Sequence, residues 1–203
     1  MPPETDPPQL RSGSFFSGKF SMGFRVFALL LLGLLVAFYF PFLSGRQSFY
    51  QSDFTYYFEP FCHFIAEGLR AGRLPLWNPY LYCGMAQAAV PSPGIFYPPM
   101  LMFLFGKFSQ SVASYLVFHQ MVAGCGSYLL VMSLGWGVLA ACVGGLAVAL
   151  CGYMFALSAN FTLVAAISWL PLLLFFLRSI DRTWTRGNIL RMFGASFCTY
   201  SMI

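Results

Sequence analysis

The chain has 203 residues, 59% of them apolar and 8% charged, a composition that excludes a soluble globular domain. Its net charge of +5 comes from eleven basic residues that are scattered, most of them at the ends of apolar runs, which excludes a nucleic-acid-binding patch. A bilayer core takes about 20 apolar residues per helix, so the chain has room for roughly four or five spans and no large soluble domain.

Residues 1–22 carry four prolines with Glu4, Asp6, Arg11 and Lys19, too little apolar surface to order itself, and are predicted to be a flexible cytoplasmic tail. Residues 23–203 then form one polytopic transmembrane domain. The first span, 24–43, has no charge after Arg25 and exceeds a signal-peptide core in length, so it is predicted to stay uncleaved.

The connection 44–108 holds three of the six acidic residues, one of the two histidines and seven prolines. Pro60 suits a helix start and Gly72 a helix end. Between them, steps of about 100° put His63, Glu67 and Arg70 on one face and Phe61, Cys62, Ile65 and Leu69 on the other. The expectation is a short amphipathic helix lying in the membrane interface. Residues 73–99 hold too many prolines for a helix or central strand and are expected to be irregular, packed on protein or facing water. The segment 96–106, FYPPMLMFLFG, is too short to span and is expected to dip into the membrane or pack on its neighbours.

Further spans are predicted over 112–134, 138–157 and 162–177, with Gly124, Gly126, Gly144, Gly145 and Gly152 forming small faces for close packing. A partial fifth span begins near Asn188. The fold class is therefore all-α, a polytopic helical membrane protein. Arg11, Lys19 and Arg25 precede the first span and Arg178, Arg182, Arg186 and Arg191 follow the fourth, which puts both ends in the cytoplasm and loop 44–108 outside. Cys125, Cys142 and Cys151 fall in spans as core filler, while Cys62 and Cys83 share the loop, either as free thiols or as a disulfide.

Candidate chemistry lies in that loop. Asp53 follows the first span closely and reads as a general base or metal ligand, or as a solvated aspartate; Glu59 is the second candidate. Glu59, His63 and Glu67 at steps of four make either a metal site or one solvated helix face. Arg70, Arg73 and Lys107 would suit a lipid-linked phosphate, or ordinary headgroups. Trp77, Asn78 and Tyr80 are candidate substrate-binding residues, and with Tyr82 and Tyr97 the aromatic members suit either sugar stacking or an interfacial belt. His119, inside a span, reads as a proton relay or as a neutral histidine bonded to another helix.

The stretch SDFTYYFEPFCHFIAEGLRAGRLPLWNPYLYCGMAQAAVPSPGIFYPP, residues 52–99, resembles the first outer loop of the bacterial YfhO-like membrane proteins, which in turn resemble GT-C glycosyltransferases. The shared features fall on Asp53, on Gly72 with Pro75 to Tyr80, on Gly84 with Met85, and on Phe96 to Pro99. The run CGYMFALSANFTLVAAISWLPLLLFFL adds the family's glycine-bearing third span and the helix with Trp169 to Leu172. Ala86 departs from the pattern, standing where that family usually has proline. The resemblance implies transfer of a sugar from a polyprenyl-phosphate donor in the bilayer to an extracytoplasmic acceptor, in the cell membrane of a bacterium. Asp53 would activate the acceptor or hold a divalent metal ion, and Arg70, Arg73 or Lys107 would neutralise the leaving phosphate. No cofactor is assigned. Family members are longer, so this chain is expected to be an N-terminal piece lacking C-terminal helices. The alternatives are a transporter or flippase-like component for a lipid-linked sugar, and an inactive remnant.

Overall fold

A computed structural model describes residues 18–50, 54–89, 94–156 and 160–182, together with 187, 189–190, 192–194 and 196. Of the partial fifth span only residues 189–190, 192–194 and 196 are described, each of them helical, and most of the N-terminal tail lies outside the described residues. Among the described residues, four helices are long and apolar enough to cross a membrane: Met22–Leu43, Phe108–Ser133, Val138–Ala156 and Phe161–Ser179. Each lies within a few residues of its predicted span. The first helix, α1 (Gly18–Leu43), starts inside the predicted tail, because Gly18 to Gly23 simply extend the helix toward Lys19 and Arg25 at its N-terminal end.

The spans alternate in direction. In α3 (Phe108–Ser133) Gln110 Nε2 donates to the Leu43 carbonyl, 3.2 Å, while Tyr128 at the other end stacks on Phe27 with ring centroids 4.8 Å apart. Those contacts make α1 and α3 antiparallel. The next span breaks in two, α4 (Val138–Ala149) and α5 (Gly152–Ala156). Gly124 of α3 faces Gly145 and Ala149 of α4. In α6 (Phe161–Arg182) Arg178 Nε donates to the Ser133 carbonyl, 3.1 Å, and the Tyr115 hydroxyl donates to the Phe161 carbonyl, 3.1 Å. The two helices therefore run parallel, and Arg178 caps a helix end whose carbonyls have no partner within their own helix.

Helix α3 is the centre of the bundle. Its most apolar window is 56% buried, against 22% for each of the other spans, whose exposed leucines and phenylalanines form the lipid-facing surface. It packs on α1, α4 and α6.

Loop 44–108 forms a cap on one end of the bundle. A single π-helical turn, Phe54–Phe58, runs straight into α2 (Glu59–Arg70), because Phe58 already has helical backbone angles. Glu59 in its first turn and Arg70 in its last both complement the helix dipole, and Gly72 at φ +67° ends it as predicted. The apolar face of α2 packs on protein: Phe61, Cys62, Ile65 and Ala66 are all buried, against the π-helical turn and a 3₁₀ helix over Pro98–Leu104. That 3₁₀ segment presents Met100 and Phe103 at the right height, so a protein surface replaces lipid.

Aromatic rings join cap to bundle. Phe161 of α6 packs on Phe58 at 4.7 Å, on Tyr115 at 5.1 Å and on Phe103 at 5.6 Å between centroids, a set worth about 0.5–1.5 kcal/mol per pair beyond the area removed from solvent. Deeper still, Tyr97 descends between α3 and α6. Trp169 Nε1 donates to the Tyr97 hydroxyl, 2.8 Å, which donates to His119 Nε2, and His119 Nδ1 donates to the Tyr115 carbonyl, 2.7 Å. The carbonyl only accepts, so Nδ1 carries a proton, and the indole only donates, which leaves the Tyr97 hydroxyl proton available to Nε2. His119 is bonded to its own helix and to the cap, where the sequence reading expects another helix. Tyr97→Phe should strand a half-buried indole N–H and a buried imidazole nitrogen. The expected loss is about 1–3 kcal/mol, seen as a lower midpoint in detergent thermal unfolding, while Tyr82→Phe at the exposed surface changes nothing.

Candidate functional site

Two regions of the cap hold the residues singled out from sequence, and they are separate. The first is a crevice of about 520 Å³ at the end of the bundle where α1 stops and α3 starts. One wall is the chain leaving α1, at Gly45, Gln47 and Phe49. The second is the edge of α2, at Glu59, Cys62, His63 and Arg70. The third is the start of α3, at Lys107, Ser109 and Gln110.

Short-range chemistry fixes each wall. Gln110 is the third residue of α3, and its Oε1 accepts from the Lys107 N–H, 3.1 Å, while its Nε2 donates to the Leu43 carbonyl. One side chain thus satisfies an orphan donor at the start of one span and an orphan acceptor at the end of the other. Ser109 adds a second tie, its Oγ donating to the Gln47 carbonyl, 3.2 Å. Arg70 spans from α2 to the end of the 3₁₀ helix, with Nε and Nη2 donating to the Leu104 carbonyl at 3.2 and 2.7 Å and Nη2 to the Phe103 carbonyl at 3.4 Å. Its guanidinium is a positioned charge beside the crevice, with its donors already turned to carbonyls.

The crevice has two signs of charge. Lys107 and Arg70 line it together with Glu59 and His63. Among the described residues the ion pair found is His63 Nδ1 with Glu67 Oε1, 3.4 Å, on the exposed side of α2, where such a pair adds little stability. No pair closes across the crevice among the described residues. Cys62 at its floor is buried, and burial, followed by the nearby Glu59 carboxylate, pushes its thiol well above the ordinary range. Cys83, by contrast, is exposed, and both are free thiols. The expected result of brief maleimide treatment of the folded protein is a label on Cys83 and none on Cys62, which peptide mapping reads directly.

The second region is the segment 73–89. A minimal antiparallel ladder pairs β1 (Trp77–Asn78) with β2 (Met85–Ala86), Trp77 opposite Ala86 and Asn78 opposite Met85. The expectation of irregular backbone over 73–99 holds at 73–76 and 79–84, while 87–89 and 98–99 are 3₁₀ helix and 90–93 lie outside the described residues. Tyr82 and Cys83 lie in the left-handed region at φ +51° and +60°, where side chains are strained, and Gly84 follows at +109°. A Cβ on Gly84 would stand 2.7 Å from the Trp77 ring, so only glycine lets the indole lie across the turn. Asn78 is buried and committed to this turn: Oδ1 accepts from the Tyr80 N–H, 3.0 Å, and Nδ2 donates to Gln87 Oε1, 3.2 Å. Trp77, Tyr80 and Tyr82 point outward.

Of the candidates, then, Glu59, Arg70 and Lys107 meet in the crevice. Trp77, Asn78 and Tyr80 belong to the hairpin, and the exposed Arg73 does not line the crevice. Asp53 lies outside the described residues. Among the described residues no three His, Cys, Asp or Glu side chains converge in a way that holds a metal ion, which leaves the spacing of Glu59, His63 and Glu67 as a solvated face. Sequence reasoning missed Gln110. A glutamine three residues past a helix cap is a recognisable signal, but here a lysine stands at the cap instead of serine or threonine. No family model, curated protein or solved structure matches the chain.

Proposed function

We propose that this protein is a glycosyltransferase-like component of a bacterial cell membrane, with the crevice receiving the phosphate end of a polyprenyl-linked sugar and the loop on the outer side. The observation that carries the reading is the meeting of Lys107 and Arg70 with Glu59 at the shared end of the first two spans, and a helix that spans a bilayer brings its end toward the lipid phosphates. The resemblance of residues 52–99 to the YfhO-like outer loop supports the same assignment.

In this reading Lys107 contacts the phosphate and stabilises the charge that develops as the sugar–phosphate bond breaks, with the Arg70 charge held behind it. Asp53 takes the proton from the acceptor hydroxyl. In sequence it lies between Phe49 and Glu59, which both line the crevice. The transporter reading asks for ionisable groups free to act inside the spans, and His119 is engaged on both ring nitrogens.

The test is reconstitution of the full chain into vesicles with a radiolabelled polyprenyl-phosphate sugar and a mixture of hydroxyl acceptors. Labelled product supports glycosyl transfer. Movement of the donor across the bilayer without product supports the transporter reading, and neither outcome with a folded protein refutes both.

A further inference from the structure

The crevice holds opposite charges that do not neutralise each other. Glu59 lies on the α2 wall and Lys107 on the α3 wall, yet among the described residues no carboxylate lies within ion-pair distance of Lys107 and no cation within that distance of Glu59. Both are exposed, so solvation keeps them apart without penalty. The scaffold also resists collapse of the gap. Gln110 and Ser109 tie the α3 wall to the end of α1, and Arg70 ties α2 to the carbonyls of Phe103 and Leu104. A slot tied at its walls and lined by both signs of charge, at the end of the bundle where two apolar spans meet, is complementary to a ligand that carries both charges.

We infer that the crevice binds a zwitterionic phosphoester in which a primary ammonium group lies a short aliphatic link from the phosphate, as in a phosphoethanolamine headgroup. The phosphate faces Lys107 and the fixed Arg70 charge. The ammonium faces Glu59, to which it donates a charge-assisted hydrogen bond that a quaternary trimethylammonium cannot make. This rests on the crevice being a phosphate site and not on sugar transfer, and it implies that a resident bilayer lipid competes with any lipid-linked donor. Two sources share the chemistry: a membrane phosphatidylethanolamine and a soluble phosphoethanolamine.

The full chain is reconstituted in vesicles with equal parts phosphatidylethanolamine, phosphatidylcholine and phosphatidylglycerol, extracted gently, and the retained lipid counted by native mass spectrometry. Phosphatidylethanolamine should be enriched about fivefold over either competitor, the scale of one partly solvated ion pair. Glu59→Gln should abolish the preference over phosphatidylglycerol, and Glu59→Lys should reverse it toward that anionic lipid, a gain that a misfolded protein does not produce. Arg73→Gln, outside the crevice, should leave the selectivity unchanged. Displacement by soluble O-phosphoethanolamine at millimolar concentration assigns the site to the headgroup alone, whereas resistance to it assigns it to the intact lipid. Equal retention of all three lipids, or an unchanged preference in Glu59→Lys, overturns the inference. Because lipid retention is read without any sugar donor, its failure is distinguishable from a failure of glycosyl transfer.

Discussion

Asp53→Asn is expected to reduce sugar transfer from a polyprenyl-phosphate donor by about 10²–10⁴-fold, the contribution of a positioned general base, with donor binding nearly unchanged. Asparagine keeps the size and the hydrogen-bonding reach of the side chain but cannot take a proton. The split between catalysis and binding is what identifies the role. A residue that merely shaped the loop would lower both together, and a residue that held the donor would raise KM first. Lys107→Gln is expected to lower both, with donor affinity weaker by about tenfold and the rate at saturation reduced by a further factor of about ten to a hundred, because the lysine holds the phosphate and also meets the charge that develops on it. Transfer that survives Asp53→Asn at its original rate would remove the aspartate from the chemistry. The crevice would then have to be read as a lipid-binding site alone.

The second large effect concerns the fold. Gly145→Leu should prevent the bundle from assembling. A Cβ on Gly145 would lie 2.5 Å from the Phe27 ring and 2.9 Å from the Gly124 carbonyl oxygen, and the rest of the leucine has nowhere to go. Turning Phe27 aside gives up its stacking on Tyr128, and a backbone carbonyl cannot move without α3. Overpacking of this kind costs about 1–3 kcal/mol for a methylene and more for a branched side chain. The matched control is Gly33→Ala in α1, whose added Cβ meets nothing within 4 Å. It should leave stability unchanged or raise it by about 0.5–1 kcal/mol through helix propensity. Size-exclusion profiles and thermal unfolding in detergent separate the two outcomes.

That pair of glycines also shows what the sequence could and could not say. Apolar length and the placement of basic residues located the four spans to within a few residues, because a bilayer imposes one length scale on every crossing. The glycines within them read as equivalent small residues. Which of them touches a neighbour depends on helix rotation about its axis, and composition is silent on rotation: Gly145 is pressed against α1 and α3, whereas Gly152 has open space around it. The amphipathic character of α2 was legible from periodicity, since Phe61, Cys62 and Ile65 recur on one side. Its partner was not. An apolar stripe in a membrane protein has two apolar environments available, and here the segment Pro98–Leu104, with no helical period of its own to announce it, covered the stripe first.

The candidate site divides along the same line. Residue type singled out Glu59, Arg70 and Lys107 as chemically capable, and the chain path brought them to one crevice although Lys107 stands 48 positions from Glu59 in sequence. Residue type also singled out Trp77, Asn78 and Tyr80, whose conspicuous composition has a local explanation. Asn78 closes a turn, Gly84 makes room for the indole, and the left-handed Tyr82 and Cys83 complete the reversal. The wiring of Tyr97, His119 and Trp169 was out of reach of any pattern, because its members come from three segments and meet only when the cap docks on the bundle.

Photo-crosslinking asks most directly where a lipid-linked phosphate lodges. A polyprenyl phosphate carrying a photoreactive group beside the phosphate is irradiated with the reconstituted protein, and the modified peptides are sequenced. Adducts confined to residues 45–49, 59–70 and 103–110, and lost on Lys107→Gln, are the expected result. Adducts on the hairpin at 77–86, or labelling indifferent to Lys107, would contradict the crevice as the place where this protein meets its lipid.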